Sequence, residues 1–147
     1  MALAKDHYTV LCVDDDPDLL QLLVDSLEGL GQFHVVQASD GEQGLERFFE
    51  VQPDCVVIDV VMPELDGYQL VQALRGDPQS ASTPLIILTA LAQDKDRLSS
   101  LAVGADQYLV KPVTPRALVE AVTRALEISN EERLARMERL AQQEGGK

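Results

Sequence analysis

Five short apolar runs alternate with helical patterns along this chain of 147 residues. The runs cover residues 8–13, 33–38, 54–59, 85–90 and 107–110. The intervening segments place apolar residues at helical spacing, including a shorter segment at 94–105. Strict alternation of strand and helix predicts a parallel sheet with helices on both of its faces. The chain is therefore expected to form an α/β domain of five βα units.

Helix start signals support this division of the chain. Asp16 precedes Pro17, a capping carboxylate followed by proline at the first helical position. Ser39 is followed three residues later by Glu42, which is the spacing of a capping box. Thr114 stands directly before another proline, which predicts the start of the last helix at that point.

The net charge limits which kinds of molecule the protein is expected to bind. The formal net charge is −13, from 25 acidic and 12 basic residues. A nucleic-acid surface needs a basic face to neutralise phosphates, so this balance argues against direct binding of nucleic acid. Most of the acidic residues are expected only to keep the protein soluble. The excess of carboxylates also suits a site that binds a cation.

Cysteine usage and hydropathy indicate the compartment. Cys12 and Cys55 lie inside apolar runs and are expected to be small core residues of a protein in a reducing compartment. The residues before the first strand lack the apolar core of a signal peptide. No apolar run approaches the ~18 residues of a membrane span. We therefore expect a soluble cytoplasmic protein that makes no contact with a membrane.

Polar side chains gather at the ends of the predicted strands. Asp14–Asp16 follow the first strand, Asp59 ends the third, Thr89 ends the fourth and Lys111 follows the fifth. In open parallel sheets, sites lie beyond the carboxyl ends of the strands, and the strand order 2-1-3-4-5 would place the first strand beside the third. Carboxylates brought so close repel each other and need a cation or a shared proton. Oxygen ligands in an open acidic cup suit Mg²⁺.

This combination has a chemical sense. A carboxylate beside Mg²⁺, a lysine and a hydroxyl group can attack phosphorus, because these groups neutralise the charge on the phosphoryl oxygens. Asp59 would then be the nucleophile and would become an aspartyl phosphate. Taken singly, each residue has an ordinary structural explanation: Asp14–Asp16 as a solvated helix start, Asp59 as the cap of a turn. Their joint placement favours the chemical interpretation.

Four motifs together resemble the receiver domain of two-component response regulators, of the chemotaxis-regulator type. They are "VDDD" after the first strand, "IDVVMPELDG" at the third, "LTA" after the fourth and "YLVKP" around the fifth. The likeness covers residues from about 8 to 127. It implies a flavodoxin-like (βα)5 three-layer sandwich with strand order 2-1-3-4-5. It also implies phosphoryl transfer to Asp59 from a histidine of a sensor kinase or of a phosphotransfer protein.

The resemblance assigns a metal-binding role to four residues. Asp15 and Asp59 would bind Mg²⁺ (or Mn²⁺) directly, and Asp14 would hold a metal-bound water. The backbone carbonyl of Val61 would be a further protein ligand. The chain would catalyse its own phosphorylation, with no turnover of an external substrate.

The resemblance also identifies residues that sense the phosphoryl group. Thr89 and Lys111 would contact its oxygens, and the peptide bond between Lys111 and Pro112 is expected to be cis. Tyr108 matches the family's aromatic switch residue, with a half-exposed strand tyrosine as the alternative. Val61 and Leu91 occupy positions that influence hydrolysis in this family. Both are apolar and cannot orient a water, so slow self-dephosphorylation is predicted.

Phosphorylation is expected to switch the face from strand 4 to helix 5, which would also serve as a partner or homodimer surface. The composition changes after Glu127, which divides the chain into a receiver domain (1–127) and a C-terminal helical extension or linker (128–147). One long final helix is favoured over a fresh start at Ser129, although Ser129 has a capping-box spacing. Dimerisation, a link to an output domain and a solvated tail all remain open roles for the extension.

Other classes of protein fit less well. A receiver-like interaction module that takes no phosphate is the main alternative, and the intact set of acidic residues, Thr89 and Lys111 argues against it. A phosphohydrolase with an aspartate nucleophile would have a second aspartate where Val61 stands. A flavin-binding relative would need a hydroxyl- and glycine-rich phosphate loop after the first strand, where the aspartates would instead repel a phosphate.

Overall fold

The computed structural model describes residues 7–59, 67–89 and 104–145. Within these ranges there are five strands and four helices. The strands are β1 (Thr9–Val13), β2 (His34–Ala38), β3 (Cys55–Asp59), β4 (Leu85–Thr89) and β5 (Gln107–Val110). The helices are α1 (Pro17–Gly29), α2 (Gly41–Val51), α3 (Gly67–Arg75) and α4 (Pro115–Gly145). The predicted helix at 94–105 lies outside the described residues except for its last two, so α4 is the helix that the sequence prediction numbers fifth.

The five strands form one parallel sheet in the order β2-β1-β3-β4-β5. This confirms the predicted flavodoxin-like order. Every residue of β3 and of β4 is buried, as expected for central strands that helices cover on both faces. The edge strand β5 has four residues, none of which is fully buried.

The four described helices cover the two faces of the sheet in pairs. α1 and α4 pack on one face, where Leu23, Leu27 and Val122 join the core. α2 and α3 pack on the other, where Phe48 and Leu70 are buried. The result is the predicted three-layer sandwich. Within the described residues, no helix is both long enough and apolar enough to cross a membrane.

The two cysteines are core residues, as predicted. Cys12 on β1 and Cys55 on β3 are completely buried, and both are free thiols. Burial raises the pKa of each thiol above its ordinary value, because the thiolate cannot be solvated there.

The start of α1 follows the prediction and that of α2 does not. Asp16 caps α1, accepting hydrogen bonds from the amides of Asp18 (3.0 Å) and Leu19 (3.3 Å). The predicted capping box of Ser39 and Glu42 is wrong, because α2 begins one residue later. Its N-cap is Asp40, whose Oδ1 accepts a hydrogen bond from the amide of Gln43 at 2.8 Å. The side-chain oxygen of Gln43 in turn accepts from the amide and the hydroxyl group of Ser39.

The last helix begins where the sequence predicts and continues without interruption. The Thr114 hydroxyl oxygen accepts a hydrogen bond from the amide of Ala117 at 3.1 Å. α4 then runs for 31 residues to Gly145, so the fresh start at Ser129 is wrong. Past Glu127, α4 lines one side of a cavity of about 190 Å³ with Ile128 and Glu132. Ser82 and Pro84, which precede β4, line it as well.

Candidate functional site

The sheet brings three carboxylates together at its carboxyl edge. Val13 pairs with Ile58 in the last step of the ladder between β1 and β3, so Asp14 follows one strand where Asp59 ends the other. One carboxylate oxygen each from Asp14, Asp15 and Asp59 lies within 4.8 Å of the others. This spacing suits three carboxylates that share a single cation, directly or through a bound water.

Asp14 is the most constrained member of this acidic cluster, which we define as Asp14, Asp15 and Asp59. Its side chain is completely buried, and its Oδ1 accepts a hydrogen bond from the amide of Asp16 at 2.9 Å. Its buried Oδ2 has no hydrogen-bond partner among the described residues. Burial raises the pKa of Asp14 to about 6, opposed by the Asp16 hydrogen bond and reinforced by the negative charge of Asp59. A buried carboxylate oxygen without a partner leaves an acceptor for a cation or for a water that the cation holds.

Lys111 supplies the positive charge of the site. Its Nζ lies 3.3 Å from Oδ1 of Asp59, which is itself buried. The Lys111 amide donates a hydrogen bond of 2.7 Å to the carbonyl of Thr89, extending the pairing of β4 with β5. The bond between Lys111 and Pro112 is cis, as the resemblance implies. Thr89 is buried at the end of β4, so its residue position borders the same edge.

Of the other predicted residues, two have different contacts in the fold and two lie outside the described residues. Asp16 caps α1 and does not belong to the acidic cluster. Tyr108 is partly buried on β5 and packs against the core under α2 and α3. Val61 and Leu91 lie outside the described residues.

An apolar hollow that lies beside the site is not predicted by the sequence pattern. It has a volume of about 330 Å³ and adjoins Lys111 and Pro112; leucines of α1 and α4, including Leu19, Leu22 and Leu118, line it. Leu22, one of these lining residues, is 47% exposed. Helical spacing predicts which leucines of α1 face the core, but it carries no signal for a hollow that residues of two helices and of the segment after β5 line together.

The family model for the response regulator receiver domain matches residues 10–123. This chain belongs to that family. As a receiver domain of two-component systems, it has the sheet order and the carboxyl-edge cluster described above.

Known proteins with similar sequences and structures agree with this membership. The probable transcriptional regulator ycf27 of Guillardia theta is 42% identical over 121 residues, which are 82% of this chain and 46% of that protein. A putative response regulator from Chloroflexus aurantiacus has 34% identity and a TM-score of 0.79, covering 83% of this chain and 99% of that one. Chemotaxis protein CheY4 of Vibrio cholerae has 32% identity and a TM-score of 0.77, covering 81% and 98%.

The receiver domain spans about half the length of the curated relatives that it matches. Several of those relatives are named transcriptional regulators. The expectation that the protein has no contact with nucleic acid is therefore not supported. The charge of −13 describes only the present chain.

Proposed function

We propose that this receiver domain is a phospho-acceptor of a two-component phosphorelay. Asp59 takes a phosphoryl group from a phosphohistidine of a sensor kinase or of a phosphotransfer protein. The observation that carries the proposal is the acidic cluster with Lys111 Nζ 3.3 Å from Asp59 Oδ1, at the carboxyl edge of the sheet.

The acidic cluster fits Mg²⁺ or Mn²⁺. Its donors are hard carboxylate oxygens, and one of them, Asp14 Oδ2, is buried without a hydrogen-bond partner among the described residues. In the proposed site, Asp15 and Asp59 would bind the metal directly and Asp14 would hold a metal-bound water. The backbone carbonyl of Val61, which lies outside the described residues, would be a further ligand. When bound, the metal neutralises charge on the phosphoryl oxygens.

The chain's own residues perform the transfer step. A carboxylate oxygen of Asp59 forms a bond to phosphorus as the bond from phosphorus to the donor's histidine nitrogen breaks. The electron pair of the broken bond stays with the donor's imidazole, which carries a proton on its other nitrogen and leaves as the neutral ring. Lys111 stabilises the negative charge on the phosphoryl oxygens, because its ammonium group already lies beside Asp59. The reaction is phosphorylation of the protein itself, so no external substrate is turned over.

The signal then passes to the face formed by β4, β5 and α4. A phosphoryl group adds negative charge and acceptor oxygens beside Thr89 and Lys111. Thr89 and Tyr108 act as the switch residues of the proposed response, since they lie on the adjacent strands β4 and β5. This face also serves as the proposed partner or homodimer surface.

The proposed domain boundary lies at Glu127, with residues 128–147 as a helical extension that links or dimerises the receiver. A light-scattering mass equal to the monomer at high concentration, with and without phosphorylation, would exclude the dimer. We place the protein in the cytoplasm, because buried free cysteines accord with a reducing compartment.

Intact-mass measurement after incubation with acetyl phosphate and Mg²⁺ tests the function. The wild type is expected to gain one phosphoryl group, and the gain should be absent without metal and in Asp59→Asn. No gain under any condition would exclude the phospho-acceptor and favour an interaction module that takes no phosphate.

A further inference from the structure

Arg75, the last residue of α3, joins the segment before β4 to the segment before β5. Its Nη1 donates a hydrogen bond of 2.7 Å to the carbonyl of Thr83. Its Nε donates to the carbonyl of Gly104 at 2.9 Å, and its Nη2 to Oδ2 of Asp106 at 2.8 Å. All three guanidinium nitrogens are therefore used, in a geometry that the planar group of arginine favours.

Asp106 extends this set of contacts into the sheet. Its Oδ2 also accepts a hydrogen bond from the amide of Leu85, the first residue of β4, at 2.8 Å. The amide of Asp106 donates back to the carbonyl of Leu85, also at 2.8 Å. The first residue of β4 and the residue before β5 are thus held together from both directions, with Arg75 attached to the same carboxylate.

Gly104 leaves space for the aliphatic part of the Arg75 side chain. Its φ is +102°, a conformation that favours glycine, and a Cβ atom built there would lie 3.0 Å from Cγ of Arg75. The backbone before β5 therefore lies directly against the arginine stem. We name this set of residues, Arg75, Thr83, Leu85, Gly104 and Asp106, the arginine clamp.

The arginine clamp joins α3, a helix packed firmly in the core, to β5, a short edge strand. α3 is anchored by Leu70, Val71 and Leu74, all completely buried. β5 is an edge strand of four residues, and among the described strands it pairs only with β4. An edge strand so short has few ladder hydrogen bonds of its own, so a contact at its start contributes a large share of what holds it in place.

The functional site lies at the other end of β5. The strand leads directly to Lys111, whose amide is hydrogen-bonded to Thr89 and whose Nζ lies 3.3 Å from Asp59. From Asp106 to Lys111 the chain spans about 16 Å, since each strand residue rises about 3.3 Å. Arg75 therefore lies away from the reacting groups, and β5 is the element that connects its contacts to Lys111.

We propose that Arg75 is a positioning residue for phosphoryl transfer: it holds the start of β5 against β4 and so sets the place of Lys111 beside Asp59. This inference rests on the proposed function of Asp59 and adds a residue to it. The metal ligands lie after β1 and at the end of β3, outside the clamp. Loss of the clamp should therefore affect the lysine and spare the acidic cluster.

Arg75→Gln tests the proposal, with Arg47→Gln as its matched control. Arg47 forms an exposed ion pair with Glu50 within α2, so its replacement changes the charge equally and leaves β5 untouched. With acetyl phosphate and Mg²⁺, we expect Arg75→Gln to take up phosphate about tenfold more slowly than the wild type, a smaller loss than the roughly hundredfold that a 1 Å misplacement of a catalytic group can cause. Arg47→Gln should match the wild type. Arg47→Gln should bind Mg²⁺ with the wild-type affinity, and Arg75→Gln should bind it at least as tightly, because the carboxylates keep their places while the lysine charge moves away.

Two further measurements separate positioning from a general loss of structure. In a Lys111→Gln background, adding Arg75→Gln should slow phosphorylation no further. Hydrogen exchange should accelerate at the amides of residues 106–111 in Arg75→Gln and stay unchanged in β1. Should Arg75→Gln not fold, Asp106→Asn, which keeps an acceptor but removes the ion pair, tests the same contacts.

Equal phosphorylation rates in Arg75→Gln and the wild type would overturn this proposal alone. An equally large additional loss in the Lys111→Gln background would also overturn it, because Arg75 would then not act through the lysine. A wild type that takes up no phosphate would overturn the proposed function and this inference together.

Discussion

The ammonium nitrogen of Lys111 lies 3.3 Å from Oδ1 of Asp59, within an acidic cluster of three carboxylates. This lysine partly neutralises the cluster in the absence of a metal. It also places a positive charge beside any cation that binds there. The same side chain should therefore oppose metal binding and promote phosphoryl transfer.

Lys111→Gln is expected to change these two properties in opposite directions. Mg²⁺ affinity should rise about fivefold, the equivalent of about 1 kcal/mol of relieved repulsion. The rate of phosphorylation should fall about a hundredfold, as when one charge-stabilising group is lost. Calorimetric titration measures the first and intact mass over time the second. Lys111→Arg keeps the charge and should retain the wild-type Mg²⁺ affinity; weaker Mg²⁺ binding by Lys111→Gln would contradict the prediction.

Asp14 should make the stability of the metal-free protein depend on pH. Its pKa is raised from 3.8 to about 6, so the folded protein holds this proton more tightly than the unfolded chain does. The resulting stabilisation is complete below the unfolded pKa and is lost as the pH rises through about 6. Asp14→Asn cannot lose a proton there. In the absence of metal it should be more stable than the wild type near pH 8, by at most about 3 kcal/mol, with a smaller difference near pH 5.

Thermal unfolding with a chelator and with Mg²⁺ checks this prediction. Mg²⁺ should raise the Tm of the wild type and have little effect on that of Asp14→Asn. Glu46→Gln, which removes a carboxylate from an exposed position on α2, should leave the Mg²⁺ response intact. A metal-free Asp14→Asn protein that is less stable than the wild type near pH 8 would show that the buried charge is not destabilising.

The strands and the grouping of polar residues could be predicted from the sequence because both follow from local patterns. Continuous apolar runs such as Cys55–Ile58 indicate buried strands, and parallel pairing places the residue after each strand at one edge. That reasoning places Asp14, Asp59 and Lys111 together. The strand order itself depends on the resemblance to a known family, since the apolar pattern does not say which buried strands are neighbours.

Features that depend on tertiary contacts were not predictable in this way. Ser39 and Asp40 are both good caps, and each has a suitable acid or amide three residues later, so the pattern fits two starts for α2. Local spacing does not choose between them, and in the structure Asp40 is the cap. Arg75 and Asp106 are likewise separated by 31 positions, and no local signal joins them.

The cap of α2 gives a prediction about stability. Asp40→Ala should destabilise the protein by about 1 kcal/mol, because the amide of Gln43 loses its acceptor. Ser39→Ala should cost less, since the backbone amide of residue 39 still donates to the Gln43 side chain. Urea unfolding of both variants measures the difference. A larger loss of unfolding free energy in Ser39→Ala than in Asp40→Ala would indicate that Ser39 is the N-cap.

The contact of α4 with the domain predicts where the chain can be shortened. Ile128 and Glu132 line a cavity with Ser82 and Pro84, and Ile128 is only 45% exposed. A chain that ends at Glu127 should therefore be less stable than one that ends at Glu132, by about 1 kcal/mol for the half-buried isoleucine. Thermal unfolding of the two truncated chains measures this difference. Equal Tm values would place the structural boundary of the receiver at Glu127.

The lifetime of the phosphorylated state should depend on Val61, two residues after Asp59, the proposed phosphate acceptor. An apolar side chain there cannot orient a water for attack on phosphorus, so the wild type is expected to lose its phosphoryl group slowly. Val61→Asn supplies a hydrogen-bonding group and should shorten the half-life about tenfold, within the range that a positioned polar group contributes to hydrolysis. Val61→Leu keeps the position apolar and should decay like the wild type. Decay of the phosphorylated mass, followed after removal of acetyl phosphate, compares the three proteins, and an unchanged half-life in Val61→Asn would show that this residue does not limit hydrolysis.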